Sequence, residues 1–170
     1  MAKVLVFIHS LDVGGAERVS VQFSSWLSDV GHEVVVLTSA RSRIDFFQVK
    51  STVCRVQEPK WFLNLGLFQG FLFPFKILWF HQWLRRQKFD LAIGMTTLPA
   101  IKLLLATTGI ALPVVASERI YPPSIRLPFI WRVLRHITYP RADVHLVQTN
   151  EIASWLKEKY LARKVVTLPN

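Results

Sequence analysis

The chain is poor in cysteine, in acidic residues and in long apolar runs. Cys54 is the single cysteine of the 170 residues, which excludes an internal disulfide and fits a reducing compartment, and we expect this lone thiol to fill the core. Only 11 Asp and Glu stand against 21 Lys and Arg, giving a net charge of +10. This excess predicts an anionic partner: phosphates, a nucleic acid or an acidic lipid surface. The apolar stretch Val4 to Ile8 is too short for a signal peptide, so we expect the chain to begin in the cytoplasm.

The chain does contain a regular alternation of short apolar runs and helical periodicity. Residues 4–8 are typical of a strand buried on both faces, and apolar residues from Val19 to Val30 follow at helical spacing before Gly31. Further strands are predicted at 33–38, 52–56, 90–95, 113–116, 144–147 and 165–168. Helices are predicted near 99–107 and after a cap at Thr149 or Asn150. The pattern predicts one α/β domain with a Rossmann-like, doubly wound, mostly parallel sheet of about seven strands.

A glycine-rich turn, Asp12-Val13-Gly14-Gly15-Ala16-Glu17-Arg18, follows the first strand. Ligands of doubly wound sheets bind beyond the carboxyl ends of the strands, and Gly14 and Gly15 allow backbone N–H groups to approach a phosphate at a helix N-terminus. Glu17, in the first helical turn, and His9, at the end of the strand, are further binding candidates. Alternatively, the glycines only form a tight turn and Glu17 complements the helix dipole. A dinucleotide site is not expected, because G-x-G-x-x-G and the acidic residue after the second strand are missing.

Five short motifs in order resemble the GT4-type retaining glycosyltransferases, whose GT-B fold has two Rossmann-like domains facing a cleft. These motifs are Gly14 to Arg18, Gly31 to Val34, Phe89 to Leu91, Ser117 to Arg119 and Leu168 to Asn170. The resemblance is strongest to the enzymes that extend lipid-linked oligosaccharides. It implies that residues 1–170 are the acceptor-side N-terminal half of a GT-B fold, and that a donor-binding C-terminal domain is absent from the sequence.

The resemblance also implies an activity. A sugar would pass from a nucleotide-sugar, expected to be UDP-linked, to a polyprenyl-diphosphate-linked or other lipid-linked acceptor with retention. Gly14 and Gly15 would face the cleft near the donor diphosphate, and the isolated domain would be nearly inactive. The family usually needs no bound metal or cofactor, and we see no clustered His, Cys or carboxylate spacing that predicts a metal site.

The motif Ser117-Glu118-Arg119 follows the predicted fifth strand, at the sheet edge where catalytic groups collect. Related enzymes often have a histidine beside this acid, and here Arg119 takes its place. As catalytic candidates, Glu118 is expected to orient an acceptor hydroxyl or act as a base, and Arg119 to clamp the acceptor diphosphate bidentately. The alternative is that the two residues form an exposed Glu118–Arg119 ion pair of little energetic value or anchor a loop.

Residues 59–89 contain no acidic residue but ten of the 21 aromatic residues. The stretch from 61 to 80 almost reaches the length of a membrane span, but polar residues interrupt it, and one crossing would separate adjacent strands across the bilayer. We therefore predict a membrane-interfacial helical insertion, with an ordinary buried helix and a re-entrant segment as alternatives. The residues expected to contact the membrane are Trp61, Phe68, Phe71, Trp79, Arg85 and Arg86.

A second stretch without acidic residues, 119–142, has apolar residues on one helical face, and Arg132, Arg135 and His136 on another. The cations form either a solvated face or a wall that holds an acceptor diphosphate or lipid headgroups, with Arg132 and Arg135 as phosphate ligands. Together the features predict a glycosyltransferase half located peripherally on the cytoplasmic face of the cell membrane. The alternatives are a basic nucleic-acid-binding domain and a phosphate- or nucleotide-binding module without catalysis.

Overall fold

The computed structural model describes residues 1–39, 45–59, 72–121, 124 and 126–168. In this part of the chain seven strands alternate with five α-helices. The strands are β1 (Lys3–Ile8), β2 (Glu33–Thr38), β3 (Cys54–Gln57), β4 (Leu91–Met95), β5 (Val114–Glu118), β6 (Val144–Val147) and β7 (Val165–Thr167). The helices are α1 (Gly15–Asp29), α2 (Phe73–Gln87), α3 (Thr97–Ala106), α4 (Phe129–Thr138) and α5 (Asn150–Tyr160), and a 3-10 turn at Tyr139–Arg141 follows α4.

The seven strands form one sheet in the order β3-β2-β1-β4-β5-β6-β7, and every neighbouring pair is parallel. The predicted doubly wound sheet is therefore confirmed. The strand order reverses between β1 and β4, which places a crevice beyond the carboxyl ends of these two strands. The strand β5 is longer than predicted, because Ser117 and Glu118 pair with Leu146 and Val147 of β6.

The helices cover both faces of the sheet. On one face Val4, Val6 and Ile8 of β1 pack in a cluster with Leu27 of α1. On the other face, alternate residues of β1 join a larger core with residues of α2, α3 and α5. Because neighbouring strand residues point to opposite faces, both faces of β1 are buried, as its continuous apolar sequence predicts.

Local signals in the sequence fix two helix ends. Gly31 adopts a left-handed conformation (φ 91°) after α1, and the backbone N–H of His32 donates to the carbonyl of Leu27 at 3.0 Å. The Thr149 side chain caps α5 by accepting a hydrogen bond from the backbone N–H of Ile152 at 3.3 Å. Both caps were predicted from the residue types alone.

Helix α2 packs on the sheet rather than lying apart from it. Phe80 and Leu84 are buried, and Trp79 is partly buried against the core with its ring 6.2 Å from that of Trp83. Trp79 is therefore shared between this packed cluster and the surface, and its contact with a membrane stays a prediction. The outward side of α2 carries Phe75, Leu78, Arg85 and Arg86, whereas Trp61, Phe68 and Phe71 lie outside the described residues. None of the described helices is long and apolar enough to cross a bilayer.

Helix α4 is turned differently from the expectation. Arg135 is only 4% exposed, whereas Phe129, Ile130 and Ile137 are 71%, 58% and 58% exposed. Arg135 thus does not share an exposed basic face with Arg132 and His136, because it packs under the helix against aromatic rings of α5. Cys54 is also exposed rather than part of the core, since β3 is the edge strand of the sheet.

Candidate functional site

A cavity of about 600 Å³ lies where the glycine turn meets the carboxyl edge of the sheet. Its wall combines the turn after β1, the first two turns of α1, a loop residue and the segments that follow β5 and β7. The lining residues are Val13, Gly14, Gly15, Arg18, Val19, Gln22, Phe47, Arg119 and Leu168. The structure therefore brings together Gly14, Gly15 and Arg119, which the sequence predicts as site residues from separate motifs.

The two glycines contribute in different ways. A Cβ atom on Gly15 would meet no other atom within 4 Å, so this backbone borders open space at the start of α1. A Cβ on Gly14 would lie 2.0 Å from Oε2 of Glu17, because that carboxylate folds back over the turn. Glu17 lies in the first turn of α1, where a carboxylate complements the positive end of the helix dipole. Gly14 and Gly15 nevertheless line the cavity, so the N-terminus of α1, where backbone N–H groups have no partner within the helix, lies at its wall.

Two guanidinium groups line the same cavity. Arg119 follows β5 and approaches from the neighbouring part of the sheet, and partial burial lowers the pKa of its guanidinium from the ordinary value. Arg18 lies in the first turn of α1 and belongs to the predicted glycine motif, although it was not among the predicted ligands. With the helix N-terminus, these cations make the cavity suitable for a phosphate or diphosphate.

Five other lining residues were not predicted as site residues: Val13, Val19, Gln22, Phe47 and Leu168. Gln22 lies one turn beyond Arg18 on α1, so the spacing Gly15, Arg18, Gln22 could have placed it on the same helical face. Phe47 lies in a loop, and its backbone N–H donates a hydrogen bond to the carbonyl of Leu11 at 3.1 Å. Leu168 follows β7. The sequence contains no local signal that brings these last two residues to the turn, because only the tertiary fold does so.

Glu118 lies on the other side of the sheet from Arg119. Glu118 is 1% exposed, and its carboxyl group accepts hydrogen bonds from Thr97 Oγ1 at 2.8 Å and from the hydroxyl of Tyr139. Burial raises the pKa of Glu118 to about 6, against the lowering effect of these two donors and of Arg135. The alternative of an exposed Glu118–Arg119 pair is therefore wrong, and the structure does not place the Glu118 carboxyl group in the cavity.

Two more features lie at the same edge of the sheet. His9 does not line the cavity, and its Nδ1 is 3.0 Å from the hydroxyl oxygen of Ser39 after β2. Burial, and next Lys102, lower the pKa of His9, whereas Asp12 and Glu17 oppose the shift. Thr96, between β4 and α3, has a positive φ of 72°, a conformation that strains a residue with a side chain. Such strain is found at functional sites, and no local pattern in the sequence predicts it.

Arg132 and Arg135 line a different cavity, of about 390 Å³, between α4 and the end of α5. This cavity shares no lining residue with the one at the glycine turn. The basic residues of α4 therefore do not line the cavity that Gly14 and Arg119 share. The two groups of cations form separate anion-compatible surfaces.

The parallel sheet order, the cavity at the first turn and the crevice at the switch point define a Rossmann-like half of a GT-B glycosyltransferase. Residues 13–170 match the model of Glycosyltransferase Family 4, so the chain belongs to this family. No curated protein sequence matches the chain.

Several solved structures share the fold. Sucrose-phosphate synthase from Thermosynechococcus elongatus is 12% identical with a TM-score of 0.77, over 99% of this chain and 48% of that one. The lipopolysaccharide outer core galactosyltransferase WaaB is 15% identical with a TM-score of 0.70, over 100% and 46%. Anabaena HepE, solved with UDP and glucose, is 16% identical with a TM-score of 0.66, over 100% and 45%. The chain thus spans about half the length of each.

Proposed function

We propose that this glycosyltransferase domain forms the acceptor side of a retaining enzyme that transfers a sugar from a UDP-sugar to a lipid-linked acceptor. The observation that carries the proposal is the convergence of Gly15, Arg18 and Arg119 on one cavity at the carboxyl edge. A helix N-terminus and two guanidinium groups are the chemistry that binds a diphosphate. Both the donor and a polyprenyl-diphosphate acceptor contain this group.

The UDP-sugar donor is supported by a structural neighbour. HepE was solved with UDP and glucose, and its fold matches this chain over the whole length of the chain. Because the chain spans about half of such proteins, we propose that a second, donor-binding domain completes the site. The 170 residues alone are then expected to bind acceptor without transferring sugar, since the cleft has only one wall.

The lipid-linked acceptor is supported by the surface of the domain. Arg85 and Arg86 are exposed at the end of α2, and α4 exposes apolar side chains beside cations. An enzyme that works on a polyprenyl chain needs such a surface at the membrane, so we propose a peripheral location on the cytoplasmic face. We also propose that the insertion at 59–89 contacts the membrane, and α2 is the part of this insertion that the structure describes.

The residues have distinct proposed roles. Arg119 binds the acceptor diphosphate, and Gly14 and Gly15 form the wall near the donor diphosphate. Glu118 is a positioning residue, because its buried carboxyl group joins β5 to Thr97 of α3 and to Tyr139. His9 and Glu17 do not line the cavity, and their proposed role is to set the charge and polarity of the adjacent carboxyl edge of the sheet.

Titration of the chain with geranyl diphosphate, a short soluble polyprenyl diphosphate, tests the Arg119 role. A lost charge-assisted hydrogen bond is worth about 1.5–3 kcal/mol, so Arg119→Gln should weaken binding by roughly tenfold or more. Arg163→Gln removes the same charge at an exposed position after α5 and serves as the matched control. Equal affinity of the two variants, or no binding by the unmodified chain, would contradict the proposed acceptor site.

A further inference from the structure

The cavity between α4 and α5 contains a buried cation with an unused donor. The Arg135 Nε donates to the Tyr160 hydroxyl at 3.0 Å, and the guanidinium lies 5.0 Å from the ring of Trp155 and 5.1 Å from that of Tyr160. Its Nη1, although buried, has no hydrogen-bond partner among the described residues. An unsatisfied buried N–H of a charged group is costly, and because Arg135 lines the cavity, an anion bound there would compensate the charge of the guanidinium.

Three more cationic or basic side chains surround Arg135 in the same cavity. Arg132 and His136 come from α4, and Lys159 comes from the last turn of α5. The lining residues in this part of the chain include no Asp or Glu. This composition favours an anion, because a neutral or cationic ligand would leave the guanidinium uncompensated.

The wall of the cavity is also apolar. Phe129 and Ile137 line it and are 71% and 58% exposed, and Ile130 on the same helix is 58% exposed. At 100° per residue, Phe129, Ile130, Val133 and Ile137 form a strip that lies next to the Arg132–His136 strip. An apolar strip facing outward beside a row of cations is the arrangement of a helix that lies in a membrane interface.

We propose that the α4–α5 cavity binds the phosphate headgroup of an anionic bilayer phospholipid, with the α4 apolar strip inserted beside the acyl chains. This inference rests on the peripheral location proposed above and assigns it to a defined site, which shares no lining residue with the cavity at the glycine turn. Charge complementarity and the adjoining apolar strip select a bilayer lipid over a soluble phosphate, which would leave Phe129, Ile130 and Ile137 in water. The site anchors the domain while the diphosphate cavity stays available.

Vesicle flotation tests the proposal with the 170-residue chain. Vesicles of phosphatidylcholine alone are compared with vesicles that contain phosphatidylglycerol, and the chain should float only with the latter. Arg132→Gln with Lys159→Gln should weaken this binding about tenfold or more, since each surface cation contributes several-fold to binding at an anionic membrane. Arg163→Gln with Lys164→Gln is the matched control, because it removes the same charge from two exposed residues outside the cavity.

Three results would overturn the proposal: no flotation with phosphatidylglycerol, equal losses in the two double variants, or flotation only when polyprenyl phosphate replaces phosphatidylglycerol. The last result would make the cavity an acceptor site rather than a membrane anchor. Ile137→Ser should also weaken flotation without removing a charge, which separates insertion from simple attraction. Arg135→Gln is not used because it can disturb folding, so the test relies on the Arg132/Lys159 double variant and on Ile137→Ser. The geranyl diphosphate titration measures binding at the glycine-turn cavity independently, so failure of one site can be told from failure of the other.

Discussion

At the scale of single residues, burial decides what Glu118 can do. The carboxyl group is at the end of β5, where polar residues of α/β sheets usually meet ligands, but it turns inward to Thr97 and Tyr139. Arg119, the next residue, turns to the cavity. Strand alternation gives these neighbours opposite surroundings, so one motif supplies both a structural acid and a candidate phosphate ligand.

Glu118→Gln should change the pH dependence of stability. The pKa of Glu118 is raised to about 6 in the folded chain from an ordinary value of 4.5, so its contribution to stability is fully present below pH 4.5 and is lost as the pH rises through 6. The glutamine keeps an acceptor for Tyr139 and cannot ionise. The free energy of unfolding of the variant, relative to the unmodified chain, should therefore rise by about 2 kcal/mol between pH 4 and pH 7.

Urea unfolding at several pH values measures this difference. Glu158→Gln is the control, because it makes the same chemical change at an exposed position of α5. A constant difference for Glu118→Gln across the range would mean that burial does not hold the proton on this carboxyl group.

The sequence predicted the residues of the glycine turn better than their partners. Gly14, Gly15 and Arg119 were found because their motifs each follow a strand, and parallel strands bring such positions to one edge. Phe47 and Leu168 were missed, since long-range packing alone brings them there. The burial of Arg135 was missed as well, because an arginine beside aromatic rings of a distant helix leaves no periodic signal in its own helix.

At the scale of elements, the approach of α3 to β4 depends on one glycine. A Cβ on Gly94 would lie 2.5 Å from Cα of Ala100, closer than real atoms approach, and Ala100 belongs to the buried face of α3. Thr97 of this helix donates a hydrogen bond to Glu118, and the helix directly follows the strained Thr96. The position of α3 therefore affects the arrangement of residues at the carboxyl edge of the sheet. A backbone atom cannot move aside as a flexible side chain can.

Gly94→Ala is expected to destabilise the fold by about 1–3 kcal/mol, as other overpacking changes in cores do. Gly15→Ala is the matched control: it adds the same methyl group at the start of α1, where no atom lies within 4 Å. Its stability should be unchanged or higher by up to about 1 kcal/mol, because alanine favours the helix. Thermal unfolding of both variants measures their stabilities. Equal stabilities would contradict the prediction and show that α3 can shift to make room for the methyl group.

The element positions were predictable and the orientation of the helices was not. Alternating apolar runs gave every strand of the sheet within a few residues, since burial on both faces demands such runs. The periodicity of α4 showed which residues share a face, but not that Trp131 and Arg135 would face inward while Phe129 and Ile130 face outward. That choice depends on the aromatic surface of α5, which the sequence of α4 does not contain.

At the scale of the whole molecule, the net charge of +10 is compatible with two kinds of anionic partner, a nucleic acid and a lipid surface. A nucleic-acid-binding domain needs exposed aromatic rings on which bases can stack. In the described part of the acid-free segment, Phe80 and Phe89 are buried, and Trp79 and Trp83 pack partly against the core. Trp26 and Phe46 are exposed elsewhere, but the exposed rings of α2 and α4 lie with exposed aliphatic side chains and beside cations. This combination fits an anionic lipid surface better than a base-stacking platform.

The salt dependence of binding distinguishes a nucleic-acid partner from an anionic membrane. Binding to a single-stranded oligonucleotide should rest on counterion release alone and fall steeply as salt rises through about 150 mM. Binding to phosphatidylglycerol vesicles should fall less and level off, because insertion of Phe129 and Ile137 is not screened by ions. Ile137→Ser should remove that plateau and leave the oligonucleotide curve unchanged. If both ligands lost affinity with the same salt slope and Ile137→Ser affected neither, the charge would act without the apolar strip, and the domain would be a general polyanion binder rather than one built for a membrane.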